Sequence, residues 1–211
     1  MAITSIPKAA RFWDRIADRY SSKPVADEAA YQKKLSVTRE YLRPDMEVLE
    51  FGCGTGSTAL THAPHVNHIL ALDVSARMIE ICREKAEAAA VENVTFEQAT
   101  IDEFSAPADT YDAVMALSVL HLVADRDAVI ARVHAMLKPD GLFVTSTACI
   151  ADSMRFFKII APIGRFLRLL PLLRVFTLRE LETSLTGAGF EIDHQWQPGK
   201  GRGVFIVAKK V

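Results

Sequence analysis

Apolar residues recur along this chain with two periods. Near the start, Phe12, Ile16 and Tyr20 fall on one helical face, and Tyr31, Leu35, Thr38 and Leu42 line another up to a break at Pro44. The period then shortens, and the runs Glu47–Phe51, His68–Leu72, Val94–Gln98, Tyr111–Leu117 and Leu142–Thr147 read as strands. Helical segments separate most of them. Ser75 is placed to cap one that runs to about Ala90. Asp125 can cap another, with Val129, Ile130, Val133, Met136 and Leu137 at three- and four-residue spacings before "KPDG" stops it. Strands alternating with helices across short connections predict a parallel sheet covered on both faces. The last part differs. "TLRELETSLTGAG" opens with a capping box, Thr177 and Glu180. It is followed by "FEIDHQW" and "VFIVAKK" around the turn-rich "QPGKGRG", an antiparallel hairpin at the sheet's edge.

Length and charge narrow the class. The 211 residues suit one α/β domain, with an N-terminal helical segment over 1–43 and an insert over 152–176. A net charge of −1 gives no global basic field, so nucleic acid is not an expected partner. Cys53, Cys82 and Cys149 are far apart and form no C-x-x-C pair, and "MAITSIPKAARFWDRIADRY" holds no apolar stretch of signal-peptide length. A cytoplasmic protein with reduced thiols is the expectation.

Chemistry concentrates in "VLEFGCGTGS", where strand Glu47–Phe51 runs into Gly52, Gly54 and Gly56. Such a loop lets a ligand approach the main chain closely at the carboxyl ends of an open sheet. Dinucleotide folds prefer glycine or alanine where Ser57 stands, and the lysine of a phosphate-binding loop is missing. Glu50 precedes the glycines and Asp73 ends the next strand. Asp73 suits a ribose diol, whereas Glu50 would repel a pyrophosphate and attract a cation. The pattern fits a cationic adenosine ligand.

"VLEFGCGTG", Asp73 followed by "VSARMIE", "YDAVMALSVLHLV" and "LKPDGLFVTS" occur in an order that resembles the class I S-adenosylmethionine-dependent methyltransferases. The nearest group is the small-molecule one that includes ubiquinone/menaquinone-biosynthesis methyltransferases. The resemblance covers roughly residues 10–150 and, more loosely, the closing hairpin. It implies an α/β, doubly wound, mostly parallel seven-stranded sheet with an antiparallel C-terminal hairpin, a Rossmann-like fold. It also implies methyl transfer from S-adenosylmethionine to a small apolar or amphipathic acceptor, leaving S-adenosylhomocysteine. On it, Glu50, Gly52, Cys53, Gly54 and Gly56 lie by the methionine part and Asp73 takes the ribose. Val74 and Met78 flank adenine, Leu117 lies just past strand four beside the methionine group, and Tyr20 closes over the cofactor. Where the family usually has Gly-Asp after strand three, this chain has Ala99-Thr100. Thr100 and Ile101 are then the expected adenine contacts, with Asp102 as a substitute acid.

The remaining features carry two readings each. His121, in the loop after strand four, is the catalytic candidate as a general base; the alternative is a residue that only packs or hydrogen-bonds. Asp112 begins a strand and reads as an orienting group. His62, His65 and His68 suggest a metal, but Pro64 interrupts them at the amino ends of the strands, so a solvated helix end is expected and no metal. The insert Asp152–Phe176 carries a net +4 charge with an apolar band over Phe156–Leu173. It reads as a lid over the acceptor pocket, a weak membrane-surface or homodimer contact, or a core helix pair. A cofactor-binding sensor without turnover and a peripheral membrane module are the rival functions.

Overall fold

The strands are β1 (Glu47–Phe51), β2 (His68–Asp73), β3 (Val94–Gln98), β4 (Tyr111–Leu117), β5 (Leu137–Thr147), β6 (Phe190–Trp196) and β7 (Val204–Lys210). The structure is a computed structural model that describes residues 8–149, 151, 172–199 and 201–211. Its strands form one sheet in the order β3-β2-β1-β4-β5-β7-β6. Pairing is parallel from β3 to β5 and antiparallel where β7 joins β5 and β6 joins β7. This is the sheet expected from the sequence, hairpin included. Its order reverses between β1 and β4, and in such sheets ligands lie in the crevice outside the carboxyl ends at that point.

Helices α1 (Lys8–Ser21), α2 (Glu28–Tyr41), α3 (Ser57–His62), α4 (Ala76–Ala88), α5 (Arg126–Met136) and α6 (Leu178–Gly187) cover the sheet. Strand alternation divides the core in two. Leu49 and Phe51 of β1 pack with Val129, Ile130 and Val133 of α5 and Leu181 and Leu185 of α6. Val48 of the same strand packs on the opposite side with Val37 of α2, Ala59 of α3, and Ile79 and Cys82 of α4. Helix starts follow their local signals. Ser75 accepts from the Met78 amide, Asp125 from those of Asp127 and Ala128, and Thr177 and Glu180 complete a reciprocal capping box.

Four local expectations need correction. Helix α1 buries Ala10 and Ala17, with Trp13 packed on Met78 and Ile81, rather than Phe12, Ile16 and Tyr20. The small Ala17 lets α1 approach Met78 and Ile81 of α4, a gain that a count of large apolar side chains does not register. Strand β5 starts at Leu137, not Leu142: Leu137 pairs with Tyr111 and Leu142 with Ala113, so residues 138–141 bulge. Leu117 is the last residue of β4 rather than one beyond it. His62, expected in solvent, is 1% exposed, because a 3-10 turn over Ala63–His65 redirects the chain and leaves the ring inside.

Asp112 is structural, as expected. It accepts the Glu47 amide and the Lys138 ammonium, both at 2.8 Å, joining β1, β4 and β5 at their amino ends, away from the crevice. Burial opposes its ionisation, but these partners hold its carboxyl below the usual range. Among the described residues no three metal-ligating side chains come together, and no helix is long and apolar enough to cross a membrane. Most of the insert, with its expected lid, membrane or dimer role, lies outside the described residues. Its flanks are described: the Ala151 amide donates to the Phe176 carbonyl at 3.1 Å.

Among the described residues the His62 ring has no partner on either nitrogen. Burial, then His65 and Arg39, push its pKa down to about 4 from 6.5. Above about pH 6.5 the ring is neutral whether the chain is folded or not. Below that the unfolded chain takes up a proton that the folded one refuses until about pH 4, so stability falls across this window. The decline expected from His62 is on the order of 2–3 kcal/mol. Thermal melts should show His62→Leu losing less stability than the parent between pH 7.5 and pH 4.5. Parallel losses would mean that the ring finds a proton-accepting partner.

Candidate functional site

The glycine loop links the end of β1 to α3 and sits at the point where the sheet order reverses. All three glycines have positive φ, +66° at Gly52, +56° at Gly54 and +75° at Gly56. Gly52 is required twice over, since a Cβ there would lie 2.6 Å from Cγ2 of Val119 in the loop after β4. Gly54 is different. The nearest atom to a Cβ there is Cε1 of Tyr20 at 3.9 Å, with nothing else within 4 Å. The loop is thus packed at its ends and open in the middle, under one aromatic ring.

Its polar groups are mostly spent inward. The Cys53 amide donates to Leu72 O and the Gly56 amide to Cys53 O, both at 3.0 Å, and the Gly54 amide donates to Asp73 Oδ2 at 2.9 Å. The Cys82 thiol donates to the Gly54 carbonyl at 3.2 Å, and Lys85 Nζ to the Thr55 carbonyl at 3.1 Å. The Cys53 thiol is buried; a hydrogen bond with Cys82 and burial push its pKa well up, so it stays protonated.

Asp73 joins this loop to the next. Its other oxygen accepts the Ser75 amide at 2.9 Å, and the Ala99 amide donates to its carbonyl at 3.0 Å. Burial raises its pKa, against the pull of the Ser75 and Gly54 amides. Ser75 in turn donates to Asp14 of α1 at 2.6 Å, and Arg77 binds Asp18 at 2.8 Å. Those two bonds fasten α1 over the start of α4 and carry Tyr20, 51% exposed, to the open middle of the loop.

Glu50 has no such support. It alternates with Leu49 and Phe51 on β1, so it shares the face of Val48, and it is 2% exposed, with Oε2 unpartnered among the described residues. Burial, then the charge of Asp73, raise its pKa to about 8. Its charge also helps hold the Tyr31 phenol above its usual value, after burial. Near neutral pH the ligand-free carboxyl is mostly protonated. An unpaired buried oxygen at the root of an open glycine loop is what a cationic ligand would satisfy, so these residues fit the expected cofactor.

The structure thus brings Tyr20, Glu50, Gly52, Cys53, Gly54, Gly56 and Asp73 together, with Val74 in the turn that follows. The other expected contacts have these surroundings. Met78 is buried under α1 with Trp13, and Ile101 belongs to the core on the α5 side. Thr100 caps a turn, accepting the Glu103 amide at 3.1 Å, and Asp102 is exposed. Leu117 packs in the core on the α2 side. His121 is partly buried, its Nδ1 3.0 Å from Thr147 Oγ1, and burial lowers its pKa to about 4. Val119, Cys82, Asp14 and Thr147 were not identified from the sequence as parts of the site. Cys82 falls on the apolar face of α4 and reads as core; nothing local distinguishes the others.

Residues 48–141 match the family described as a methyltransferase domain. An uncharacterized methyltransferase of Bacillus subtilis, YcgJ, is 32% identical over 102 residues, 48% of this chain and 40% of its own length. Its crystal structure superposes with a TM-score of 0.72 at 19% identity, covering 85% of this chain and 98% of that one. A ubiquinone biosynthesis O-methyltransferase of Azorhizobium caulinodans is 29% identical over 160 residues, 72% of this chain and 62% of that protein. An S-adenosylmethionine-dependent methyltransferase from Mesorhizobium loti superposes with a TM-score of 0.67 at 21% identity, covering 83% and 96% of the two chains. The chain spans about two fifths of the length of the first curated relatives it matches. The resemblance read from the sequence therefore holds for the fold and for the central domain.

The raised Glu50 pKa carries a stability prediction. Its folded value of about 8 lies above the ordinary 4.5, so its stabilising contribution is full below about pH 4.5 and lost as pH rises through 8. Without ligand, Glu50→Gln should gain on the parent in melting temperature as pH is raised from 5 to 9. Parallel curves would show that Glu50 is charged and paired already.

Proposed function

We propose that the methyltransferase domain carried by residues 48–141 binds S-adenosylmethionine and that the chain transfers its methyl group to a small apolar or amphipathic molecule. One observation supports this above the others. The amides of Cys53, Gly54 and Gly56 are already bonded within the protein, and the polar atom left unspent at the root of the loop is an acidic oxygen, Glu50 Oε2. Pyrophosphate recognition needs free amides and no nearby carboxylate. A ligand with a sulfonium and an ammonium, and no phosphate, needs the reverse.

S-adenosylmethionine supplies an electrophilic methyl group on sulfur and leaves as S-adenosylhomocysteine. The chain's part is placement and field. Glu50 supplies the negative group for the cation, and Asp73, with a lone pair left on each oxygen, can receive the ribose hydroxyls. Tyr20 covers the open middle of the loop. Methyl transfer to an atom that is already nucleophilic needs alignment in a dry site more than proton removal. A His121 ring with a pKa near 4 fits that economy, being neutral at working pH and a weak base. The small-molecule acceptor rests on the relatives, among them ubiquinone biosynthesis O-methyltransferases. A sensor without turnover has no observation in its favour.

Calorimetry with S-adenosylhomocysteine and with NAD tests the cofactor, and a radiolabelled methyl donor with a panel of lipophilic phenols, quinols and carboxylic acids tests turnover. Homocysteine-adenosine binding without detectable NAD binding is expected, and Glu50→Gln should weaken it by roughly 1.5–3 kcal/mol, the range for a hydrogen bond to a charged group. Preference for NAD, or full affinity in Glu50→Gln, would overturn the reading.

A further inference from the structure

His121 is held from three directions. Arg174, on the described flank of the insert, donates its amide to the His121 carbonyl at 2.8 Å and its guanidinium to the Ala124 carbonyl. The Ser118 amide donates to the Ser146 carbonyl at 2.6 Å, tying the start of the loop to β5. The imidazole itself meets the hydroxyl of Thr147, the last residue of β5, through Nδ1. Thr147 is 1% exposed.

A hydroxyl has one hydrogen to give, and in a sealed position that hydrogen needs an acceptor, since leaving it unmade costs about 1–3 kcal/mol. Thr145, two residues earlier, gives its hydrogen to the Ala116 carbonyl at 3.0 Å. Thr147 has no such carbonyl. Among the described residues the only hydrogen-bond partner of its Oγ1 is His121 Nδ1. The hydroxyl therefore donates, Nδ1 carries the lone pair, and the ring proton sits on Nε2. That nitrogen is not sealed off, in contrast to the Nε2 atoms of His62, His134 and His194, which are buried without partners. Its loop borders the glycine loop through Val119 and Gly52, at the carboxyl end of β4.

We propose that Thr147 is a positioning residue that holds His121 as a neutral imidazole protonated on Nε2, and that His121 donates a hydrogen bond from this N–H, which it keeps, to an oxygen of the methyl acceptor rather than taking a proton from it. The assignment rests on the methyl-transfer reading for its substrate but not for its geometry. It selects acceptors with a lone-pair oxygen at or beside the methylated atom, such as a phenolate, an enolate or a carboxylate. It also requires that the nucleophile reach the site already ionised or intrinsically electron-rich. The environment agrees. Burial alone lowers the His121 pKa, no carboxylate among the described residues pairs with the ring, and the nearby Arg174 guanidinium, turned to Ala124, does nothing to favour imidazolium.

Nitrogen and carbon NMR of the full chain with labelled histidine tests the geometry with no cofactor or acceptor added. The expected His121 signals are those of the Nε2–H form, unchanged from about pH 9 to about pH 5.5. Thr147→Ser should keep them, and Thr147→Val should shift the ring toward a mixture of tautomers. An Nδ1–H ring in the parent, a titration between about pH 6 and 7, or no change in Thr147→Val would each overturn the proposal. Once an acceptor is known, side-chain amides separate donor from base. The amide nitrogen of His121→Gln overlays Nε2 and can still donate, whereas that of His121→Asn overlays Nδ1. Both should lose kcat/KM, with Asn falling at least roughly tenfold further than Gln. Equal losses would contradict donation by Nε2. Because the NMR arm needs no ligand, its result is independent of whether the chain binds S-adenosylmethionine.

Discussion

One carboxylate holds the site together. Asp73 takes the Gly54 amide on one oxygen and the Ser75 amide on the other, so the turns after β1 and β2 are fixed to each other at their tips. Everything at the carboxyl end of the sheet is referred to that joint. Ser75 starts α4 and receives α1 through Asp14, and α1 brings Tyr20 to Gly54. On the other flank, Val119 fills the space that a side chain at Gly52 would need, so the loop bearing His121 takes its position from the same glycines. Without the aspartate the Gly54 amide would lose its acceptor, and the turns after β1 and β2 would lose the joint they share.

Glu50 is the counterpart, a group that the fold does not satisfy. Beside it on β1 are a buried valine, leucine and phenylalanine, and an apolar residue there would stabilise the sheet. The chain instead carries a carboxyl that burial and Asp73 keep largely protonated until something positive arrives. On the proposed function the cost falls on the free protein and is recovered on binding, which would link affinity for a cation to the stability the fold gives up. His121 follows the same logic with the opposite sign: burial lowers its pKa and keeps an ionisable ring neutral.

Local signals were legible in the sequence. Ser75, Asp125 and the Thr177–Glu180 box cap the helices they were expected to cap, and the strands and their hairpin stand where periodicity placed them, apart from the early start of β5 at Leu137. The acid pair Glu50 and Asp73 was legible too, because each ends or nearly ends a strand at the loop. What escaped depends on contacts made across the chain. Helix α1 shows the face of Phe12, Ile16 and Tyr20 in sequence, and only packing on Met78 and Ile81 of α4 makes the side of Ala17 and Trp13 the one turned inward. Met78 and Ile101, expected at adenine by position, have side chains packed under α1 and in the core, and the contact expected of Ile101 is through its backbone. His62 differs from an exposed histidine only through the turn at Pro64. Thr147 lies 26 residues from the ring it orients.

The central claim is that Glu50 is neutral in the free protein and becomes charged when a cation sits against the glycine loop. Calorimetric titration with S-adenosylmethionine near pH 7, in buffers of different ionisation enthalpy, measures the protons exchanged on binding. Release approaching one proton per ligand, abolished in Glu50→Gln, is the result that follows from a carboxyl with a pKa of about 8. Binding with no proton release, or release that persists in Glu50→Gln, would contradict it.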